Sequence, residues 1–140
     1  MADGGVRYTD DIPEDIEHHL REICLVLPDV SEERAWKGTR WVVRNKNFAS
    51  VIGVERDAAG SFVALSFRSA GEELEILRQA GHPFFELGWG YDALGMVLDD
   101  TTDWNEVREL ITESYCVVAP KKLIALVDRP PADDLADDLG

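Results

Sequence analysis

Apolar positions recur at helical spacing in some stretches of the chain and alternate with polar ones in others. Ile16, Leu20, Ile23 and Leu27 fall on one helical face, which predicts a helix opening near Asp11 and stopping at Pro28. Pro13 suits its first turn, and Glu14 and Asp15 suit the positive end of its dipole. From Thr39 to Arg44 the period drops to two: Trp41 and Val43 point one way, Arg40, Val42 and Arg44 the other. Phe48–Val54 alternates likewise, with Phe48, Ser50, Ile52 and Val54 on one side and Ala49 and Val51 on the other. Phe62–Phe67 makes a third such run, its inner set Val63, Leu65 and Phe67. Asn45 and Asn47 tolerate left-handed backbone and suit a tight reversal, and residues 57–60 read as a loop. Three strands on short loops make an antiparallel meander, and its apolar face needs helices to cover it.

The remaining segments are read from their punctuation. Ser31–Lys37 is a polar connector with a short helical turn from Ser31, and Gly38 marks a turn. Gly71–Ala80 is a helix closed by Gly81. His82-Pro83 breaks the chain, and an aromatic, Gly-rich stretch beginning at Phe84 and Phe85 leads into a strand at Gly95–Leu98. Asp103, with Glu106 three residues on, opens a long helix lined by Trp104, Val107, Leu110, Ile111, Tyr115 and Val118. Ala119-Pro120 ends it, and residues 121–127 form a last short helix or strand. The expected organisation is a disordered segment over residues 1–11, one domain over 12–127, and a disordered acidic tail over 128–140.

Charge changes this picture in one place. The 140 residues carry a net charge of −14, of which residues 1–15 and 128–140 hold −8. From Arg34 to Val54 the sign reverses: Arg34, Lys37, Arg40, Arg44 and Lys46 occur with no acid among them, and Trp36, Trp41 and Phe48 are interleaved. Arg34, Lys37, Arg40, Arg44 and Lys46, joined by Lys121 and Lys122, are the candidate contacts to an anion or a nucleic acid. The structural explanation for Trp36 and Trp41 is core packing, and for the arginines a solvated strand face. A second candidate is an aromatic pocket from Phe85, Trp89 and Tyr91, for which core packing of Phe84 and Phe85 is the simpler account.

No nucleophile elbow, phosphate-binding loop or zinc-protease motif is present. Gly88, Gly90 and Ala93 imitate a dinucleotide fingerprint, but a strand rather than a helix follows them. Cys24 and Cys116 read as small core residues, and with His18, His19 and His82 they give no zinc spacing. The expectation is a non-enzymatic protein with no catalytic residues, no metal and no cofactor. The opening residues lack a signal-peptide pattern and no apolar run is long enough to span a bilayer. A cytoplasmic protein without a membrane partner follows, with a monomer favoured.

The order of short motifs adds a resemblance. Leu27-Pro28, Glu32 with Trp36, then Trp41, Val43, Lys46 and Phe48 resemble the first half of the MmcQ/YjbR-like family. Phe84-Phe85 and the block from Val107 to Leu123, VRELITESYCVVAPKKL, are similar to its second half. The matches span residues 14–126. The resemblance implies an α+β double-wing domain, a small antiparallel sheet with helices packed on one face. It also implies DNA binding, a label that members carry by fold analogy, and fold alone does not carry function. Relatives often place a His in the loop where this chain has Gly88-Trp89-Gly90. The alternative to DNA is an acidic protein or a small anion held by the Arg34–Lys46 stripe.

Overall fold

The computed structural model describes residues 6–56 and 60–127. Among them are seven strands and four helices in the order β1 (Val6–Thr9), α1 (Glu14–Cys24), β2 (Val30–Arg34), β3 (Thr39–Val43), β4 (Lys46–Arg56), β5 (Gly60–Arg68), α2 (Gly71–Ala80), β6 (Phe84–Glu86), β7 (Ala93–Leu98), α3 (Trp104–Val118) and α4 (Lys121–Ile124). All strand pairs are antiparallel, in the order β2-β3-β4-β5-β7-β6. β1 pairs with the far half of β4, Tyr8 opposite Val54 and Thr9 opposite Gly53. The α+β class holds, with a larger sheet than the meander expected.

One face of this sheet carries the core. Trp41, Val43, Ala49, Val51, Leu65, Phe67, Leu94, Met96 and Leu98 meet Ile16, Leu20 and Ile23 of α1, Leu74 of α2, Val107, Leu110, Ile111 and Tyr115 of α3, and Leu123 of α4. A fully buried aliphatic side chain of this kind contributes about 2 kcal/mol. The opposite face holds a smaller cluster, Ile52, Val54 and Ala64 with Tyr8, Phe62 and Phe85 packed on it, and among the described residues none from a helix takes part.

Helix ends follow the local chemistry. Pro13 precedes α1, whose first turn holds Glu14, Asp15 and Glu17. Asp103 accepts hydrogen bonds from the backbone N–H groups of Asn105 and Glu106, capping α3. The β3–β4 reversal is a two-residue turn, Arg44 and Asn45 both at positive φ (51° and 67°), the twist that matches flanking strands.

Four expectations are corrected. Residues 6–9 of the segment expected to be disordered form β1, because Tyr8 alternates onto the second cluster and β4 is long enough to pair with both β3 and β1. The connector Ser31–Lys37 is not helical at its start: Ser31–Arg34 belongs to β2, an edge strand whose charges reach solvent and neighbouring side chains. β6 was missed because three residues are too few for a period to show. Phe48 leaves the face of Ser50 and Ile52 and joins the helix-side core. A bulge between Trp41 and Val42 of β3 pairs Trp41 with Ala49 and Val42 with Asn47, so Phe48 is the extra residue. Its ring stands edge-on to Tyr115, centroids 5.4 Å apart. The expected tail, 128–140, lies outside the described residues.

Candidate functional site

The helix-free face carries a groove of about 360 Å³ lined by Tyr8, Ala35, Trp36, Lys37, Arg40, Asn47, Ser50, Ile52 and Trp89. Three pieces of chain build it. Tyr8 arrives on β1, which lies close along β4 because Gly53 has no side chain: a Cβ there would sit 2.1 Å from Thr9 Oγ1. Trp36 occupies the β2–β3 turn, closed by Ala35 N–H donating to the Gly38 carbonyl at 3.1 Å. Gly38 has φ +78° and presses on β4, where a Cβ would lie 1.9 Å from the Val51 carbonyl oxygen. Its N–H donates to Asp10 Oδ1 at 2.6 Å, fixing the turn to the end of β1. Trp89 follows Gly88, also at positive φ, in the β6–β7 connection.

The rings meet edge to face. Tyr8 lies 6.3 Å from Trp36 and 5.7 Å from Trp89, centroid to centroid, at interplanar angles of 70° and 69°. Trp36 is 80% exposed and Trp89 46%. By contrast Trp41, the other indole of the basic stretch, is fully buried and donates Nε1–H to Glu32 Oε1 at 3.0 Å. Core packing is therefore right for Trp41 and wrong for Trp36. On the far side of the Tyr8–Trp36 wall lies a second hollow of about 470 Å³, lined by Val6, Arg7, Asp10 and Glu55 besides those two rings and Lys37. There Arg7 is paired with Glu55.

The basic stripe does not emerge as one surface. Arg40 donates Nε–H to Glu33 Oε1 at 2.9 Å, with Nη2 2.8 Å from the same oxygen. Arg44 donates to Asp29 Oδ2 at 2.6 Å from the hairpin turn. Lys37 Nζ lies 4.0 Å from Asp10 Oδ2, a far looser pair, and 5.9 Å from the centre of the Trp36 ring. Arg34 stands across from Thr39, whose hydroxyl donates to Glu17 of α1, so its register is that of the helix side. Lys46 begins β4 beside the hairpin turn, and Lys121 and Lys122 open α4. Arg34, Lys46, Lys121 and Lys122 have no ion pair among the described residues. Of the seven cations, Lys37 and Arg40 alone line the groove.

The expected aromatic trio also separates. Phe85 packs on Phe62 at 5.9 Å, under Arg56, and covers Gly95, where a Cβ would lie 2.6 Å from the Phe85 ring. Tyr91 is exposed beneath the Arg78 guanidinium, 4.9 Å from its ring centre. Trp89 alone reaches the groove. Sequence reasoning missed Tyr8 and Ser50, and it singled out Trp36 but favoured the core for it. The signal for Trp36 was its place two residues before a turn glycine, since turn positions face solvent.

Displaced pKa values belong to structural groups. Arg21, donating from α1 at 3.0 and 3.1 Å, and then Trp41 hold the Glu32 carboxyl below its usual range. Burial raises the Cys24 thiol and, with Cys116 and Asp29 nearby, the Tyr115 phenol. A third hollow, about 210 Å³, contains His82, Asp99, Asp103 and Glu106. Asp103 is occupied capping α3, and Asp99, its carboxyl lowered by hydrogen bonds from Thr101, closes a local turn. Among the described residues no group of His, Cys, Asp and Glu is arranged for a metal ion, and no helix is long and apolar enough to cross a membrane.

Comparison with known proteins agrees with the fold. A family model described as YjbR matches residues 25–117, inside the 14–126 span of the motif resemblance. None of the curated proteins compared matches the chain. With well over half of its 140 residues matched, the chain belongs to the YjbR family.

Proposed function

We propose that this chain is a non-enzymatic binding module whose ligand seats on the helix-free face of the sheet, between Trp36 and Trp89. The observation that carries this is the exposure of Trp36 at 80% in a turn pinned by Gly38 and Asp10. Holding a large apolar ring in water forfeits about 2 kcal/mol that burial would return. Rigid aromatic walls with a few polar groups are the usual make-up of a ligand site. Cys24, Glu32 and Asp99, whose pKa values are displaced, serve the core and a turn instead, which favours binding over catalysis.

Labelling the indole nitrogens with ¹⁵N tests this. The chain's four Trp are 36, 41, 89 and 104, and a library of small aromatic and aliphatic fragments is expected to move the signals of Trp36 and Trp89. Hits that gather instead on the His82–Glu106 hollow, or that leave both signals in place, overturn the assignment.

DNA is the second reading, favoured by the same exposed indole, on which an unpaired base can stack. Phosphate contacts need free cations, and Arg40 and Arg44 are held by Glu33 and Asp29. Under this reading a labelled single-stranded 20-mer binds at low salt, loosens as salt rises, and is lost on Trp36→Ala. No binding at low salt removes DNA and leaves the groove with a smaller ligand.

A further inference from the structure

We infer that the groove takes a planar aromatic ring bearing one acidic group, the ring against Trp36, Tyr8 and Trp89, its polar edge on the Ser50 hydroxyl, and the acid on Lys37. This rests on the groove being the site. Ser50 is 8% exposed and lines the groove, yet its hydroxyl has no hydrogen-bond partner among the described residues. The same holds for Ser66, its cross-strand neighbour in the next strand of that face. Two other buried hydroxyls are matched: Thr39 of β3 donates to Glu17, and Ser114 of α3 to the Phe48 carbonyl. Buried polar groups are nearly always paired, so an unspent hydroxyl in a groove wall marks where a ligand atom belongs.

Charge limits the rest of the ligand. Arg40 is held by two short contacts to Glu33, while Lys37 stands 4.0 Å from Asp10 and is the groove cation most readily recruited. One recruitable ammonium suits one acidic group rather than a polyanion. A volume of about 360 Å³ suits one ring system with its substituent, near the lower end of the roughly 300–1,000 Å³ typical of ligand pockets.

A nucleoside monophosphate and an aromatic carboxylate share this chemistry. The test titrates adenosine 5′-monophosphate against adenosine, and indole-3-acetate against indole-3-acetamide, following the Trp36 and Trp89 indole signals. In at least one pair the acid is expected to bind about tenfold tighter than its neutral partner, and the pair that does so identifies the source. Lys37→Met should remove that preference and Lys37→Arg restore it. Ser50→Ala should weaken both members of the pair about three- to tenfold, the size of one hydrogen bond. Acid and neutral forms binding alike, a preference that survives Lys37→Met, or no saturable binding by any of the four overturns the inference. Fragments that still occupy the groove in that case would leave the site assignment standing.

Discussion

The backbone N–H of Gly38 donates to the Asp10 carboxylate at 2.6 Å, tying the turn that presents Trp36 to the end of the strand that presents Tyr8. The other Asp10 oxygen faces Lys37 at 4.0 Å. The two roles separate by substitution. Asp10→Asn keeps an acceptor for Gly38 and frees Lys37, so stability should hold within about 0.5 kcal/mol. Asp10→Ala loses the acceptor as well and should cost about 1–2 kcal/mol in chemical denaturation, because the Gly38 N–H is left without a partner. Loss of equal size in both variants would show that the Lys37 pair, not the turn bond, matters.

Gly38 and Gly60 have nearly the same φ, +78° and +81°, but different surroundings. An added Cβ meets the Val51 carbonyl oxygen at 1.9 Å in Gly38 and, among the described residues, nothing within 4 Å in Gly60. Gly60→Ala should therefore lose only the left-handed penalty, about 1–2 kcal/mol. Gly38→Ala must also push the turn off β4, and should cost at least about 2 kcal/mol more while displacing the Trp36 signal. Equal melting temperatures for the two variants would refute the packing argument.

Glu32 joins α1 to the sheet, taking two hydrogen bonds from Arg21 and one from the buried Trp41 indole. Its carboxyl is held below its ordinary value, chiefly by the Arg21 hydrogen bonds. A depressed folded-state pKa gives stability that is fully present above the unfolded-state value and is lost as pH falls through the folded one. Acidification from neutral pH to below the usual carboxylate range should thus erode stability in the wild type, and Glu32→Gln should remove that share of the slope. At neutral pH, Glu32→Ala leaves the Trp41 N–H without its acceptor and should cost about 1–3 kcal/mol. Identical acid limbs in wild type and Glu32→Gln would refute the assignment.

Much of the fold was legible because its signals are local. α3 has a capping aspartate and an unbroken apolar stripe, and α2 matches its expected bounds, with Gly81 beyond its end. The site was less legible because its members come from three separated segments. Nothing near Tyr8 announces that β1 will reach Trp36, since β1 is held by pairing with β4 more than forty residues on. The basic stripe misled for a related reason. Glu33 and Asp29 lie just upstream in sequence, and it is the β2–β3 register, Glu33 opposite Arg40, that brings the first of them onto its arginine. A run of like charges in sequence says little about field until the strands beside it are known.

Ser114 and Tyr115 are adjacent in α3, fully buried, and both bond to distant backbone. Ser114 Oγ donates to the Phe48 carbonyl at 2.5 Å and accepts from Arg68 N–H at 2.8 Å, tying the bulged residue of β4 to the end of β5. The Tyr115 hydroxyl donates to the Pro28 carbonyl at 2.6 Å. The two substitutions should therefore differ in kind. Tyr115→Phe keeps the ring against Phe48 and strands one acceptor, for about 1 kcal/mol. Ser114→Ala strands a donor and an acceptor together in the core, for about 2–4 kcal/mol, and Ser114→Thr should not rescue it because a site with no exposed surface has no room for a methyl group. Thermal unfolding of the three variants checks the ranking; a Ser114→Ala protein as stable as Tyr115→Phe would mean that the bulge is held by its flanking strand pairs rather than by the serine.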